Sequence, residues 1–247
     1  MAEGYAAAAV LAMPDQHLAA QLAQLFRTKR FRVYTVDDVL GVEMAGALKN
    51  VYAIAVGMGY SLGIGENTRA MVIARSVREM SKLGEAMGGQ RDTFAGLAGM
   101  GDLIVTCTSQ RSRNRHVGEQ LGAGKPIDEI ISSMNQVAEG VKAASVIMEF
   151  ANEFGLNMPI AREVDAVINH GSTVEQAVDE YLADLEDDGG EAPEPITQRK
   201  YSGKFMVRTS PTLHARLAVE AAEQNVSINH WVVQKLSDRP PIGLFDL

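Results

Sequence analysis

The sequence predicts a mainly helical chain, opened by a short α/β piece and closed by a small β-α-α unit. Three observations carry that reading. From Val42 to about Tyr181, apolar residues recur at helical spacing, with glycine or proline between several of the runs. Ahead of that stretch, a continuous apolar run, a helical period and an alternating run succeed one another as β-α-β. Behind it, Asp184–Gly203 is acidic, then proline-containing, then basic, which is the composition of a linker. The implied parts are 1–38, 39–183, the linker 184–203, and 204–247.

The 247 residues leave room for one large domain or two smaller ones, and 46% apolar with 22% charged residues is ordinary for a soluble globular protein. No run approaches the ~18 apolar residues of a membrane span. The opening MAEGYAAAAVLAMPD lacks the basic flank of a secretory signal and carries an acid at Glu3. The single cysteine, Cys107, excludes an internal disulfide and fits a reducing cytoplasm. In its TCT context it reads as a small buried hydrophobe. A net charge of −8 gives no global reason to expect nucleic acid, which leaves only a local basic surface. Nothing resembles a metal site.

Taken in order, Ala6–Met13 is apolar throughout and stops at Pro14, as a strand buried on both faces does. Asp15 is suited to cap the helix that follows, with Leu18, Leu22, Leu25 and Phe26 on its apolar face. Phe31, Val33 and Thr35 alternate with Arg32 and Tyr34, a strand period. Gly41–Asn50 is a small-residue helix with Lys49 near its end. Its small residues let a backbone or a ligand come close. A lysine partly withdrawn from water can exchange a proton near neutral pH, as the general acid/base for a carbonyl/alcohol pair must. The alternative is a surface cation favoured by the helix dipole. Gly57, Gly59, Gly63 and Gly65 read as a flexible turn, not as a GxGxxG phosphate loop, because they follow a helix and have the wrong spacing.

Further helices are expected over Asn67–Met87, Val117–Leu121, Ile127–Met134, Ala143–Phe154 and Val174–Leu182, with Gly155 after one helix and Pro159 opening the next segment. Between them, Ser109–His116 reads as a loop. It holds three arginines, two serines and an asparagine with no carboxylate, a donor set that suits phosphate oxygens. The glycine-rich lead-in ends at Asp102.

Four stretches, GVEMAGALKN, GENTRAMVIARSVREM, GLAGMGDLIVTCTSQRSRNRHVG and NQVAEG, resemble in order and spacing the bacterial NAD(P)-dependent sn-glycerol-3-phosphate dehydrogenases, from about Ala6 to Leu182. The resemblance implies an all-helical substrate domain preceded by part of a Rossmann domain. It implies interconversion of dihydroxyacetone phosphate and sn-glycerol 3-phosphate with NAD or NADP. By resemblance, Lys49 is the catalytic proton donor/acceptor; Lys49, Asp102, Ser112, Arg113 and Asn114 bind substrate; Arg113, Val137 and Glu139 contact the cofactor. The family's glycine-rich cofactor loop and its second substrate lysine do not stand in this sequence. Two expectations stay open: a cofactor-binding part supplied in trans, or a shortened and inactive relative.

In the tail, Lys204–Ser210 alternates, Pro211 opens a helix to about Gln224, and Ser227 caps a second helix that holds Trp231, read as core. Some forty residues make too small a core to fold alone, so a homodimer is expected. The tail resembles the ribbon-helix-helix domain of HicB-type antitoxins and Arc/MetJ-like repressors. In that class paired strands enter the major groove. The matching DNA-facing residues are Lys204, Met206 and Arg208, with a phosphate at the helix start near Ser227. A strand-swapped dimerisation module without DNA is the alternative, and an accidental join of two genes is a third reading of the whole chain.

Overall fold

The structure is a computed structural model that describes residues 4–134, 136, 138–187 and 209–237. It divides into two units, with the break near residue 192.

The first unit opens with β1 (Ala7–Ala12), α1 (Gln16–Phe26) and β2 (Phe31–Val36). The strands pair in parallel, Ala7 opposite Phe31 through Ala12 opposite Val36. Asp15 caps α1 by accepting from Leu18 N at 3.0 Å. The expectation of a strand buried on both faces is corrected here: β1 is half-buried, because the described residues supply it one strand neighbour and little cover.

The bundle is built on α2 (Val39–Ser61), which touches α3 (Glu66–Ala86), α4 (Arg91–Ala95), α5 (Asp102–Thr108), α6 (Arg113–Gly122), α8 (Glu139–Glu153) and α9 (Pro159–Asn169). Helices α7 (Ile127–Ser133) and α10 (Val174–Asp187) complete the unit. Leu48, Val51, Tyr52, Ala53 and Ile54 are wholly buried, so α2 is apolar all round, as a core helix is. Asp38 caps it: the carboxylate accepts from Gly41 N and Gln90 N, both at 2.8 Å, and from Thr93 Oγ1 at 2.5 Å. Burial alone would raise the Asp38 pKa, but these three bonds outweigh it and hold the carboxyl below its ordinary value.

Two expectations about α2 are corrected. The helix does not end near Lys49 but runs on to Ser61, which places Lys49 mid-helix. Gly57 and Gly59 are not a turn but part of that helix. The reason lies opposite them. A Cβ on Gly57 would stand 2.1 Å from the Arg115 carbonyl oxygen, and one on Gly118 would stand 2.0 Å from that of Ile54. Glycine on both sides lets α2 and α6 meet backbone to backbone.

Leu97–Gly101 forms a π-helical turn between α4 and α5, with Gly101 N donating to Gly96 O at 3.1 Å. Cys107 is buried as expected, and its burial pushes the thiol up to about 12. In the second unit, α11 (Pro211–Glu223) and α12 (Ile228–Ser237) bury Ala221 between them and little else. Trp231 is half-exposed, a correction to its reading as core. Its Nε1 donates to Glu220 at 3.0 Å, and Lys235 lies over its ring.

Candidate active site

Lys49 leaves the middle of α2 with its side chain 20% exposed and forms an ion pair with Asp102. The π-helical turn delivers Asp102 as the first residue of α5, where Thr106 Oγ1, one turn on in the same helix, donates to Asp102 O at 2.6 Å. A cleft of about 450 Å³ opens beside the pair, lined by Ala8 and Ala9 of β1, Gly46 of α2, and Ala98, Gly101 and Asp102. Val10, Val42, Leu97 and Val105 complete its lining.

The residue after Lys49 begins a second network. Asn50 Nδ2 donates to Gly46 O at 3.1 Å and to Glu139 Oε2 at 3.0 Å. Asn50 Oδ1 accepts from Asn114 Nδ2 at 2.9 Å, and Asn114 Oδ1 accepts from Gly140 N at 2.9 Å. Both amides are buried, so their donors and acceptors need partners, and each supplies the other. The ladder fixes α6 and α8 to α2 one residue from the lysine.

Ser109–His116 is not one loop. Its second half is the start of α6, with Ser112 as N-cap, Oγ accepting from Arg115 N at 3.2 Å. This separates the three arginines. Arg111 and Arg113 are exposed, and Arg113 Nη1 donates to Gln136 Oε1 at 2.6 Å. Arg115 turns inward: its guanidinium lies 3.8 Å from the Tyr60 ring centre and its Nε donates to Glu119 at 2.7 Å. It is a packing residue, because the helix period carries it to the face opposite Arg113. His116 is exposed.

Thus Lys49 meets Asp102, and Ser112, Arg113 and Asn114 share the first turn of α6. Glu139 joins the amide ladder through one carboxylate oxygen. Val137, Lys204, Met206 and Arg208 lie outside the described residues. Ser227 caps α12, Oγ accepting from His230 N at 3.2 Å. Asn50 and Thr106 are additions from the structure. An asparagine inside an apolar helix is a poor helix former, and that was the one available signal for Asn50. Among the described residues no cluster of histidine, cysteine and carboxylates could hold a metal.

The model of the family described as NAD-dependent glycerol-3-phosphate dehydrogenase C-terminus matches residues 38–179, and that of the HicB family matches residues 188–236. The NAD(P)+ glycerol-3-phosphate dehydrogenase of Mycobacterium avium is 85% identical over 185 residues, covering 75% of this chain and 54% of the relative. Such an enzyme of Mycobacterium tuberculosis is 83% identical over the same shares. Among solved structures, the glycerol-3-phosphate dehydrogenase of Coxiella burnetii superposes with a TM-score of 0.69 at 36% identity, over 73% of this chain and 56% of that one. The chain spans about half the length of the curated relatives it matches.

Proposed function

This chain belongs, through residues 38–179, to the NAD-dependent glycerol-3-phosphate dehydrogenase C-terminal family, and we propose that these residues are the substrate-handling half of such an oxidoreductase. The substrate is dihydroxyacetone phosphate in one direction and sn-glycerol 3-phosphate in the other. The observation that carries the reading is the Lys49–Asp102 ion pair at the edge of the cleft that Asp102 lines. Lys49 gives a proton to the ketone oxygen, or takes it back from the alcohol, and Asp102 fixes where the ammonium points. Ser112 and Arg113 hold the phosphate at the start of α6, where backbone N–H groups and the helix dipole favour an anion; Asn114, its amide engaged by Asn50 and Gly140, takes part through its backbone N–H. Arg113 adds an exposed guanidinium. Holding the phosphate fixes the distant carbonyl, which converts binding energy into orientation.

The named relatives are NAD(P)+ enzymes, and Arg113, Val137 and Glu139 are the residues proposed to face that cofactor. The described residues do not fit its phosphate half. Their strand–turn–helix unit, β1–α1, runs through Pro14 and Asp15, and the Asp15 carboxylate already occupies the helix start. A pyrophosphate would meet a like charge there. This chain is therefore assigned phosphate binding and proton transfer, and no step is assigned to the dinucleotide. A reducing cytoplasm suits its single buried cysteine.

Titration of dihydroxyacetone phosphate into the full chain by calorimetry tests the assignment. Lys49→Ala and Arg113→Ala are each expected to weaken binding at least about tenfold, since each removes a charged hydrogen bond of about 1.5–3 kcal/mol. Equal affinity in parent and both variants refutes it. NAD(P)H oxidation by the chain alone that Lys49→Ala abolishes would reveal a pyrophosphate site outside the described residues.

A second reading concerns the tail, on the strength of the HicB match and the helix pair α11–α12. It is a dimerising module that binds DNA through Lys204, Met206 and Arg208, with a phosphate at the N–H groups that follow Ser227. Salt-sensitive binding to a palindromic operator, weakened by Arg208→Ala, is its test. A gel shift left unchanged by that substitution leaves dimerisation alone.

A further inference from the structure

Resting on the substrate reading above, we infer that Gly46 is the floor of the substrate site: the reacting carbonyl lies against the bare helix backbone at this residue, and any side chain there excludes it. The argument starts from cost. Glycine inside a helix is less favourable than alanine, so an interior glycine needs a reason. Most other glycines inside the described helices show one. A Cβ on Gly41 would meet the Asp38 carboxylate at 1.9 Å, on Gly57 a carbonyl at 2.1 Å, on Gly59 the Ile64 side chain at 2.3 Å, and on Gly84 the Phe94 ring at 1.9 Å. A Cβ on Gly46 would meet nothing within 4 Å. No protein atom requires glycine here. The hydrogen bond from Asn50 to the Gly46 carbonyl would survive a methyl group.

What stands in front of Gly46 is the cleft that Asp102 also lines. Gly46 is three residues before Lys49, on the same face of α2. Side chains on a helix lean back toward its N-terminus, so Lys49 rises on the Gly46 side of α2, and its ammonium ends at Asp102, which lines the same cleft as Gly46. An atom that exchanges a proton with Lys49 beside Asp102 reaches it through the cleft that Gly46 lines. A Cβ would stand in the volume that the carbonyl carbon and its neighbours need. Gly46 thus limits the size and approach of what Lys49 can reach, while making no polar side-chain contact of its own.

The test is Gly46→Ala in the full chain, with two measurements. The thermal midpoint is expected to rise by about 2–4 °C, because alanine is the better helix former and meets no obstacle. The dissociation constant for dihydroxyacetone phosphate, by calorimetry, is expected to rise at least about tenfold. A midpoint that falls means the glycine is structural and overturns the inference. A midpoint that rises with unchanged affinity also overturns it and leaves the substrate reading standing. A parent chain that does not bind dihydroxyacetone phosphate overturns the substrate reading, and this inference with it.

Discussion

Glu79 is 4% exposed, yet three donors converge on it: Ile160 N at 3.0 Å, Ala161 N at 3.2 Å and Tyr52 Oη at 3.2 Å. It caps α9 from a different helix. Burial raises its pKa, the hydrogen bonds and Lys82 offset part of that, and the result is about 7 against an ordinary 4.5. The folded state therefore holds this proton more tightly than the unfolded chain. Its contribution to stability is fully present below pH 4.5, falls as the pH rises to about 7, and is then constant. The difference is on the order of 3 kcal/mol. Thermal melts between pH 5 and 8 should show the parent losing stability across that window, and Glu79→Gln should flatten that part of the slope. An identical slope in the variant would show that other groups control it. Little of this was legible in the sequence, where Glu79 is one acid among several on a charged helix face. Its partners lie 27, 81 and 82 residues away.

At the scale of elements, α2 and α6 meet backbone to backbone at Gly57 and Gly118, between the side-chain contacts of Asn50 with Asn114 and of Tyr60 with Arg115. Gly118→Ala would drive a methyl group to 2.0 Å from the Ile54 carbonyl oxygen and 2.9 Å from the Gly57 backbone. Neither backbone can yield without breaking its own helix, so urea unfolding should show a loss of about 3 kcal/mol, the upper end of overpacking costs. The helical periods could be read from residues alone, and the resemblance named the two residues, Lys49 and Asp102, that form an ion pair. The α2–α6 seam could not: a glycine-rich run has the same composition whether it turns or sits inside a helix, and only the facing backbone decides. The same limit misread Ser109–His116. Its polarity suggested a loop, while Ser112 was in fact the cap of a helix and Arg115 had Tyr60 to stack on.

Over the whole molecule, the two units should melt separately. The first has a contiguous apolar core, whereas α11 and α12 leave Leu213, Val219, Val233 and Leu236 exposed. If the second unit is stable only as a dimer, its transition rises with protein concentration and that of the first does not. Calorimetric scans over a hundredfold concentration range would decide this, and a second transition independent of concentration would exclude dimerisation. The central position of α2 has a further consequence during synthesis. By length and composition alone its 23 residues could cross a bilayer, a correction to the expectation that no run approaches a span, although half of that window is buried in the bundle; α9, which helps to cover it, follows only about a hundred residues later. At ribosomal speeds of about 5–20 residues per second, a greasy helix waits several seconds for its partners. Within that helix only Glu43 and Lys49 are charged, and Lys49 stands near its centre. A lysine at mid-bilayer opposes insertion by about 2.5–3.5 kcal/mol. Lys49→Leu would therefore remove, along with the residue proposed to move the proton, the charge that disfavours insertion of α2 into a bilayer.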